Sequence, residues 1–250
     1  MIRPTENNSV MHKLTSLFLL LFLSTGLFAQ TTTISDNNAR ERSVGSFTGV
    51  KVSAGIELLL QQGDKEAVAV SCSNPEYTDR IKTVVDNGVL KVYIDHTDGN
   101  WKWRKNLKFK AYVSVRELTE LSASSGSIAK TAATIKGSKI KVDASSGAII
   151  EASFAATEIS SDNSSGAITE LSGSAEKLSV EASSGSIFKG YGLSTTYCSA
   201  EVSSGGVIDI TVTKELNAEA SSGGAIHYKG GGLIRNLRTG SGGSVKSQSK

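Results

Sequence analysis

A serine beside a glycine is a common setting for a nucleophilic hydroxyl or a phosphate-cradling loop, and this chain repeats that setting along its second half. The copies read SASSGSI at 122–128, DASSGAI at 143–149, DNSSGAI at 162–168, EASSGSI at 181–187, EVSSGGV at 201–207 and EASSGGA at 219–225. A nucleophilic serine needs a base and an orienting third group within reach. Past the N-terminal segment the sequence holds only His96 and His227, too few to serve six repeated sites. A phosphate cradle needs glycines at fixed spacing at the start of a helix, and no helix pattern follows any copy. The motif therefore reads as a corner of the chain and not as a catalytic loop.

Two other groups of residues could do chemistry. Four positions before the motif glycine stand Asp143, Asp162, Glu181, Glu201 and Glu219, with Ser122 before the run and Arg238 after it. If each copy is one coil of a stack, these carboxylates lie about 4.8 Å apart, where like charges repel by roughly 1 kcal/mol in water. Such a column is either a solvated acidic stripe that keeps the surface soluble or a binding stripe for Ca²⁺ or a cationic partner, since hard cations take oxygen ligands. The second group is HTDGNWKWRKN at 96–106, which holds both tryptophans of the protein. Trp101, Lys102, Trp103, Arg104 and Lys105 interleave aromatic rings with cations, a combination that stacks on sugar rings or pairs with anionic glycans. The same two tryptophans could instead cover one open end of a core.

The elements that must position these residues follow from spacing. Gly126, Gly147, Gly166, Gly185, Gly205 and Gly223, with a degraded copy at Gly242, recur at intervals of 21, 19, 19, 20, 18 and 19. That period is too short for a propeller blade or a helical repeat, which need roughly 33 residues or more. It fits a coil of a β-solenoid. Aligned on the glycine, position −7 holds Ile140, Ile159, Leu178, Cys198 and Leu216. Position −5 holds Leu121, Val142, Ser161, Val180, Ala200, Ala218 and Leu237, and position −3 holds Ala123, Ala144, Asn163, Ala182, Val202 and Ala220. This is a strand with one apolar face. A further apolar column, Ile128, Ile149, Ile168, Ile187 and Val207, stands two residues after the glycine. If both faces point inward the chain must change phase between them, with the glycine at positive φ and the serine hydroxyls capping freed backbone groups in stacked ladders.

The expected fold class is all-β: a single-stranded parallel β-helix or solenoid with coils of about 19 residues, preceded by β-hairpins packed on the same solenoid. The expected boundaries are a signal peptide over 1–29, a flexible segment over 30–46, an N-terminal β-region over 47–118 and the Ser-Ser-Gly solenoid over 119–246. Within the β-region, Gln62-Gly63-Asp64-Lys65 looks like a hairpin turn and Asn74-Pro75 starts a short helix to about Lys82. Asn87-Gly88 turns a second hairpin. VSAGI at 52–56 resembles a first coil, with Gly55 at the marker position.

From Met11, the expected true start, a short basic stretch leads into an apolar run over Leu14–Leu23 and a cleavage-like ending at Ala29. The run is shorter than the roughly 20 residues of a spanning helix, and no cysteine follows it to take a lipid. The expected mature chain is exported, starts at Gln30, has no transmembrane segment, and is periplasmic, displayed on the cell surface or secreted. A formal charge of +3 gives no pull toward nucleic acid. Cys72 and Cys198 each fall in an alternating apolar pattern and read as separate buried thiols.

The opening FTGVKVSAGIELLLQQGDKEAVAVSC, the hairpin ending NGVLKVYI, the strand AYVSVRELTELSASSGSI and the Ser-Ser-Gly coils after it, over about 47–245, together resemble the head GIN domain family of auto-transporter adhesins. The resemblance implies an exported β-helical domain of surface or periplasmic proteins, and brings no established catalytic residues. The leading expectation is a non-catalytic protein that binds a glycan or a cell-surface protein, or acts as a scaffold, with Ca²⁺ at the acidic column as the one candidate cofactor. The competing class is a polysaccharide-degrading enzyme on a β-helix, which would need a distinct acid and base.

Overall fold

The structure is a computed structural model that describes residues 36–96 and 106–248. Its repeating feature is the corner. In each Ser-Ser-Gly the second serine and the glycine both take positive φ, from Ser125 at 53° and Gly126 at 70° to Ser241 at 48° and Gly242 at 78°. The residue after the glycine closes the turn by donating its N–H to the first serine's carbonyl, as Ala167 does to Ser164 at 3.1 Å and Gly206 to Ser203 at 2.9 Å. Two consecutive left-handed residues make this a type I′ turn, not the bend with a single left-handed glycine that the sequence suggests.

A left-handed serine costs about 1–2 kcal/mol, and hydrogen bonds between corners offset it. The glycine N–H of one corner donates to the second serine's carbonyl in the next: Gly126 to Ser146 at 3.0 Å, Gly166 to Ser184 and Gly185 to Ser204 at 3.1 Å. The expected ladder of motif hydroxyls is thus replaced by a ladder of backbone bonds. The hydroxyls that cap corners belong to Ser127 and Ser186, one residue past the glycine, which accept from the N–H groups of Ser124 and Ser183 at 3.1 Å. Ala54 at 61° and Gly55 at 71° form the same corner in VSAGI, and Gly55 donates to Ser125 at 3.0 Å, so this segment is a coil of the stack.

The strands in chain order are β1 (Arg40–Glu41), β2 (Gly49–Val52), β3 (Glu57–Gln62), β4 (Ala67–Cys72), β5 (Ile81–Asp86), β6 (Val89–Ile94), β7 (Phe109–Val115), β8 (Glu120–Ala123), β9 (Ile128–Thr131), β10 (Ile135–Ala144), β11 (Ile149–Asn163), β12 (Ile168–Ala182), β13 (Ile187–Val202), β14 (Val207–Ala220), β15 (Ala225–Lys229), β16 (Leu233–Thr239) and β17 (Ser244–Ser247). From β8 onward each strand pairs in parallel with its equivalent one coil later, residue on residue: Val142 beside Leu121, Ser161 beside Val180, Glu181 beside Glu201. Unequal coil lengths are absorbed away from the corners. Three extra residues of β13 bulge between Gly190 and Ser194, where β14 runs directly from Ile210 to Thr211.

Backbone alternation then assigns the faces. Positions −7, −5 and −3 are buried from Ile140 and Leu121 through Leu216, Ala218 and Ala220, with the core continued past the corner by Ala129, Ile150, Phe188, Ile208 and Ile226. The column Ile128, Ile149, Ile168, Ile187 and Val207 does not point inward. It is half-exposed, while its neighbours Ser127, Ala148, Ala167 and Ser186 are fully buried. From position −3 to +1 is an even step, so both residues reach the core without a change of phase. Leu237, assigned to an inward column, is 52% exposed because no coil covers it.

The opposite end is built differently. β6 and β7 stack on β2 and β3 in parallel, with Val92 beside Val52 and Lys110 beside Glu57. Beyond them the direction reverses: β5 pairs antiparallel with β6, β4 with β7 and β1 with β4. Asn87 at 50° and Gly88 at 76° turn the β5–β6 hairpin as expected. The turn after Gln62 does not make a hairpin, because β7 lies between β3 and β4 and bonds to both. Asn74 caps a 3-10 helix over Pro75–Arg80, its side chain accepting from the Glu76 N–H at 3.1 Å. Residues 36–46 are held against this end, contrary to the flexible segment expected there. The Tyr112 hydroxyl donates to Asp36 at 2.7 Å, and Arg40 and Arg42 reach Asp79 at 3.2 and 3.0 Å. Burial raises the Asp36 carboxyl, but hydrogen bonds from Tyr112, the Asn38 N–H and Ser71 outweigh it and leave its pKa below the ordinary value.

Cys72 and Cys198 are free and buried. Burial pushes the Cys198 thiol up to about 12.

Two predictions follow from the packing of the coils. The hydroxyl of Thr169 is fully buried without a hydrogen-bond partner, so Thr169→Val is expected to raise unfolding free energy by about 1 kcal/mol in urea titration. At Gly185 an added Cβ meets open space, so Gly185→Ala should cost only the left-handed strain, about 1–2 kcal/mol. At Gly173 a Cβ would run into the Phe154 carbonyl, so Gly173→Ala should cost substantially more in the same titration.

Candidate functional site

The acidic column is now a physical row. In register it runs Lys51, Ser122, Asp143, Asp162, Glu181, Glu201, Glu219, Arg238. Strand alternation places it outward between buried positions, such as Val180 and Ala182 on either side of Glu181. Its ends carry cations. Lys141 reaches Asp143 at 3.1 Å and Asp162 at 3.7 Å, and Arg238 reaches Glu219 at 3.7 Å. Lys139, on the same strand as Lys141, pairs with Glu158 at 3.1 Å and not with the row. Among the described residues Glu181 and Glu201 form no ion pair. Burial raises the pKa of Asp143; Lys141 pulls it back, and the Asp162 carboxylate beside it adds to the rise.

The row forms one wall of a shallow groove of about 350 Å³, lined by Asp162, Glu181, Glu201 and Glu219 and by the first serine of each adjoining corner, Ser164, Ser183, Ser203 and Ser221. A second outward row on the same strands, Lys141, Ser160, Ser179, Ser199, Asn217 and Asn236, lies beside it. The face is therefore polar, with its carboxylates concentrated in one line.

The charged column past the corner behaves differently. Lys130, Glu151, Glu170, Lys189, Asp209, His227 and Lys246 are in register, and here basic and acidic residues are mixed and neighbours pair. Lys130 meets Glu151 at 2.8 Å, Lys189 meets Glu170 at 4.0 Å, and His227 meets Asp209 at 2.9 Å. Charge neutrality along a stack is thus attainable in this fold, and the middle of the acidic row does not have it.

The structure brings Asp143, Asp162, Glu181, Glu201 and Glu219 into one line but does not converge them. Among the described residues no group of three or more His, Cys, Asp or Glu is placed to hold a metal ion. Trp101, Lys102, Trp103, Arg104 and Lys105 lie outside the described residues. Gly126, Gly147, Gly166, Gly185, Gly205 and Gly223 each stand at a corner with positive φ. What the sequence reading missed is the groove itself, whose second wall is the motif's first serine; the recurrence of Asp or Glu two residues before that serine was the available signal.

A parallel β-solenoid with antiparallel strands closing one end is the class this fold defines. The chain belongs to the family described as "Putative auto-transporter adhesin, head GIN domain", whose match spans residues 46–232. No curated protein matches it in sequence. Solved structures share the fold. A "putative adhesin" from Bacteroides fragilis superposes with a TM-score of 0.76 at 15% identity, covering 84% of this chain and 96% of that one. A "putative lipid binding protein" from Parabacteroides distasonis gives 0.66 at 17%, covering 84% and 96%, and a "putative adhesin" from Parabacteroides merdae gives 0.62 at 16%, covering 84% and 95%. Among the described residues no helix is long and apolar enough to cross a membrane.

Removing one rung relieves repulsion from both neighbours, so Glu201→Gln is expected to stabilise the fold by a few tenths to about 1 kcal/mol at low ionic strength. Salt screens surface charges, so the gain in melting temperature over the parent should shrink as NaCl is raised from about 10 mM to about 500 mM, over which the Debye length falls from about 30 Å to about 4 Å.

Proposed function

We propose that this chain is an exported, non-catalytic binding protein that engages a cationic surface partner, a glycan carrying amino groups or a lysine-rich protein segment, along its acidic groove. The observation that carries this reading is the unpaired middle of the row: Glu181 and Glu201 are flanked in register by carboxylates, while the other charged column of the same coils pairs its charges. A row at the coil spacing of about 4.8 Å presents charge to an extended partner and not to a single ion. Membership of an adhesin family supports a binding role, and the apolar run over Leu14–Leu23 supports export. The regular row offers no carboxyl set apart as acid from another as base, which a glycosidase requires.

The test is a glycan array that includes amino-sugar polymers and their N-acetylated counterparts, with polylysine beside it and a reducing-sugar assay on the same polysaccharides. The mature chain is expected to retain the cationic ligands, to release them as salt is raised, and to lose them in the quadruple variant Asp162→Asn, Glu181→Gln, Glu201→Gln, Glu219→Gln. Ca²⁺ and Mg²⁺ at equal concentration should compete equally, since divalent ions screen a row of separate carboxylates without being chelated by it. Selective competition by Ca²⁺ would instead mark a chelating site. New reducing ends would overturn the non-catalytic reading.

A further inference from the structure

The two ends of the solenoid are finished unequally. At the β4–β5 end the antiparallel strands themselves cover the core: Val68, Val70 and Cys72 of β4 and Ile81 of β5 are buried. At the other end β16 and β17 each pair on one side only, with β14 and β15. Their inward positions have nothing over them. Ile234 follows Leu216 and Leu237 follows Ala218 in the core columns, yet they are 39% and 52% exposed, and Leu233 beside them is 71% exposed. Val245 is half-buried above Ile226. This coil lies past the residues matched by the family, which end at 232.

We propose that this face is a self-association surface, on which a second copy of the chain docks end to end about a two-fold axis. A two-fold axis perpendicular to the face that carries β16 sets β16 against the partner's β16 in antiparallel pairing, so inward residues stay inward in both copies. The pleat dictates the register, because residues opposite each other share a face. Leu237 then faces its own symmetry mate, and Asn236 faces Arg238, both being outward.

Charge permits this pairing. Arg235 and Arg238 are neutralised within their own chain by Glu215 at 2.7 Å and Glu219 at 3.7 Å. Each arginine at position 238 meets an amide across the β16 junction, so no arginine sits opposite an arginine. Closure follows as well. The interface is isologous and uses the same face of both copies, so this contact closes at a dimer. Exposed edge strands pair readily with further strands, and self-pairing removes this one. Because the axis pierces the face that carries β16, the two acidic grooves open on the same side. A bivalent gain in binding, which rests on the groove reading, would follow from that arrangement.

The experiment is sedimentation velocity on the mature chain across a wide concentration range, with two variants. The parent is expected to sediment as a dimer with a melting temperature that rises with concentration. Ile234→Lys with Leu237→Lys should give a monomer of unchanged circular dichroism whose melting no longer depends on concentration. Both positions are exposed in the single chain, so the fold should tolerate the change. Leu237→Cys should form a covalent dimer on mild oxidation, because directly opposed strand residues stand about 4.5–5.5 Å apart, within disulfide reach. Thr157→Cys, on the exposed flank, should not, and the buried native cysteines add no background. A parent that sediments as one copy at every concentration overturns the proposal. So does Leu237→Cys that cross-links no faster than Thr157→Cys, or assembly into species larger than two. Loss of cationic-ligand binding in the groove variant with the dimer intact would strike the functional reading alone.

Discussion

Everything regular in this molecule depends on a corner in which two consecutive residues are left-handed and the glycine N–H bonds to the next corner's carbonyl. The corner fixes where each coil turns, and the bond between corners fixes how far along its neighbour each coil sits. Once that is set, parallel pairing places equivalent residues of successive coils side by side at about 4.8 Å. A column in the sequence becomes a row in space. For apolar columns this is wholly favourable, since burial of Val180, Ala200 and Ala218 in line builds a continuous core. For charged columns it is a constraint, because a repeated sign is a repeated repulsion.

The two charged columns show that the constraint can be met. Lys130 with Glu151, Lys189 with Glu170 and His227 with Asp209 form pairs along the stack. In the acidic row cations reach only the ends, through Lys141 and Arg238. An uncompensated row costs something in the isolated chain, screened by water and salt to a modest size. A partner that supplies the missing cations recovers that cost on binding, which gives the row a role that folding alone does not require. Desolvation limits the gain, so the most effective partner keeps its charges at the surface of the groove and does not bury them.

Much of this architecture was legible in the residue order. The glycine interval gave the coil, the columns ending at Cys198, Ala200 and Val202 gave the buried face, and Gly55 and Gly242 marked atypical coils near both ends. The misreading of Ile128, Ile149, Ile168, Ile187 and Val207 has a definite physical origin. Apolar character was taken as inward direction, and a change of phase was invoked to reconcile the count. In a type I′ corner the count from Ala182 to Ser186 is already consistent, so Ile187 falls outward and is only half-covered. The pairing of β7 between β3 and β4 was not legible, since the turn after Gln62 reads as a local hairpin while the partner lies some fifty residues on, with Leu58 beside Ala111. Non-local pairing leaves no mark in a local pattern. The line of the groove was visible in the acidic column, but its depth depends on the corner serines.

A parallel stack has a problem that no coil can solve for itself: each coil satisfies the edge of the one before and exposes a new edge of its own. Reversal of strand direction ends the series, because an antiparallel strand can return along the exposed edge and fold its chain over the core. The N-terminal region does this within one chain, through β4 on β7 and β5 on β6, and leaves Val70 and Leu90 fully buried. The same operation at β16 needs an antiparallel strand from elsewhere. A two-fold axis supplies one from an identical chain, since rotation reverses strand direction while keeping the inner face inward. In the proposed dimer, symmetry does at one end what the hairpin does at the other, and Ile234 and Leu237, exposed in the single chain, become core residues.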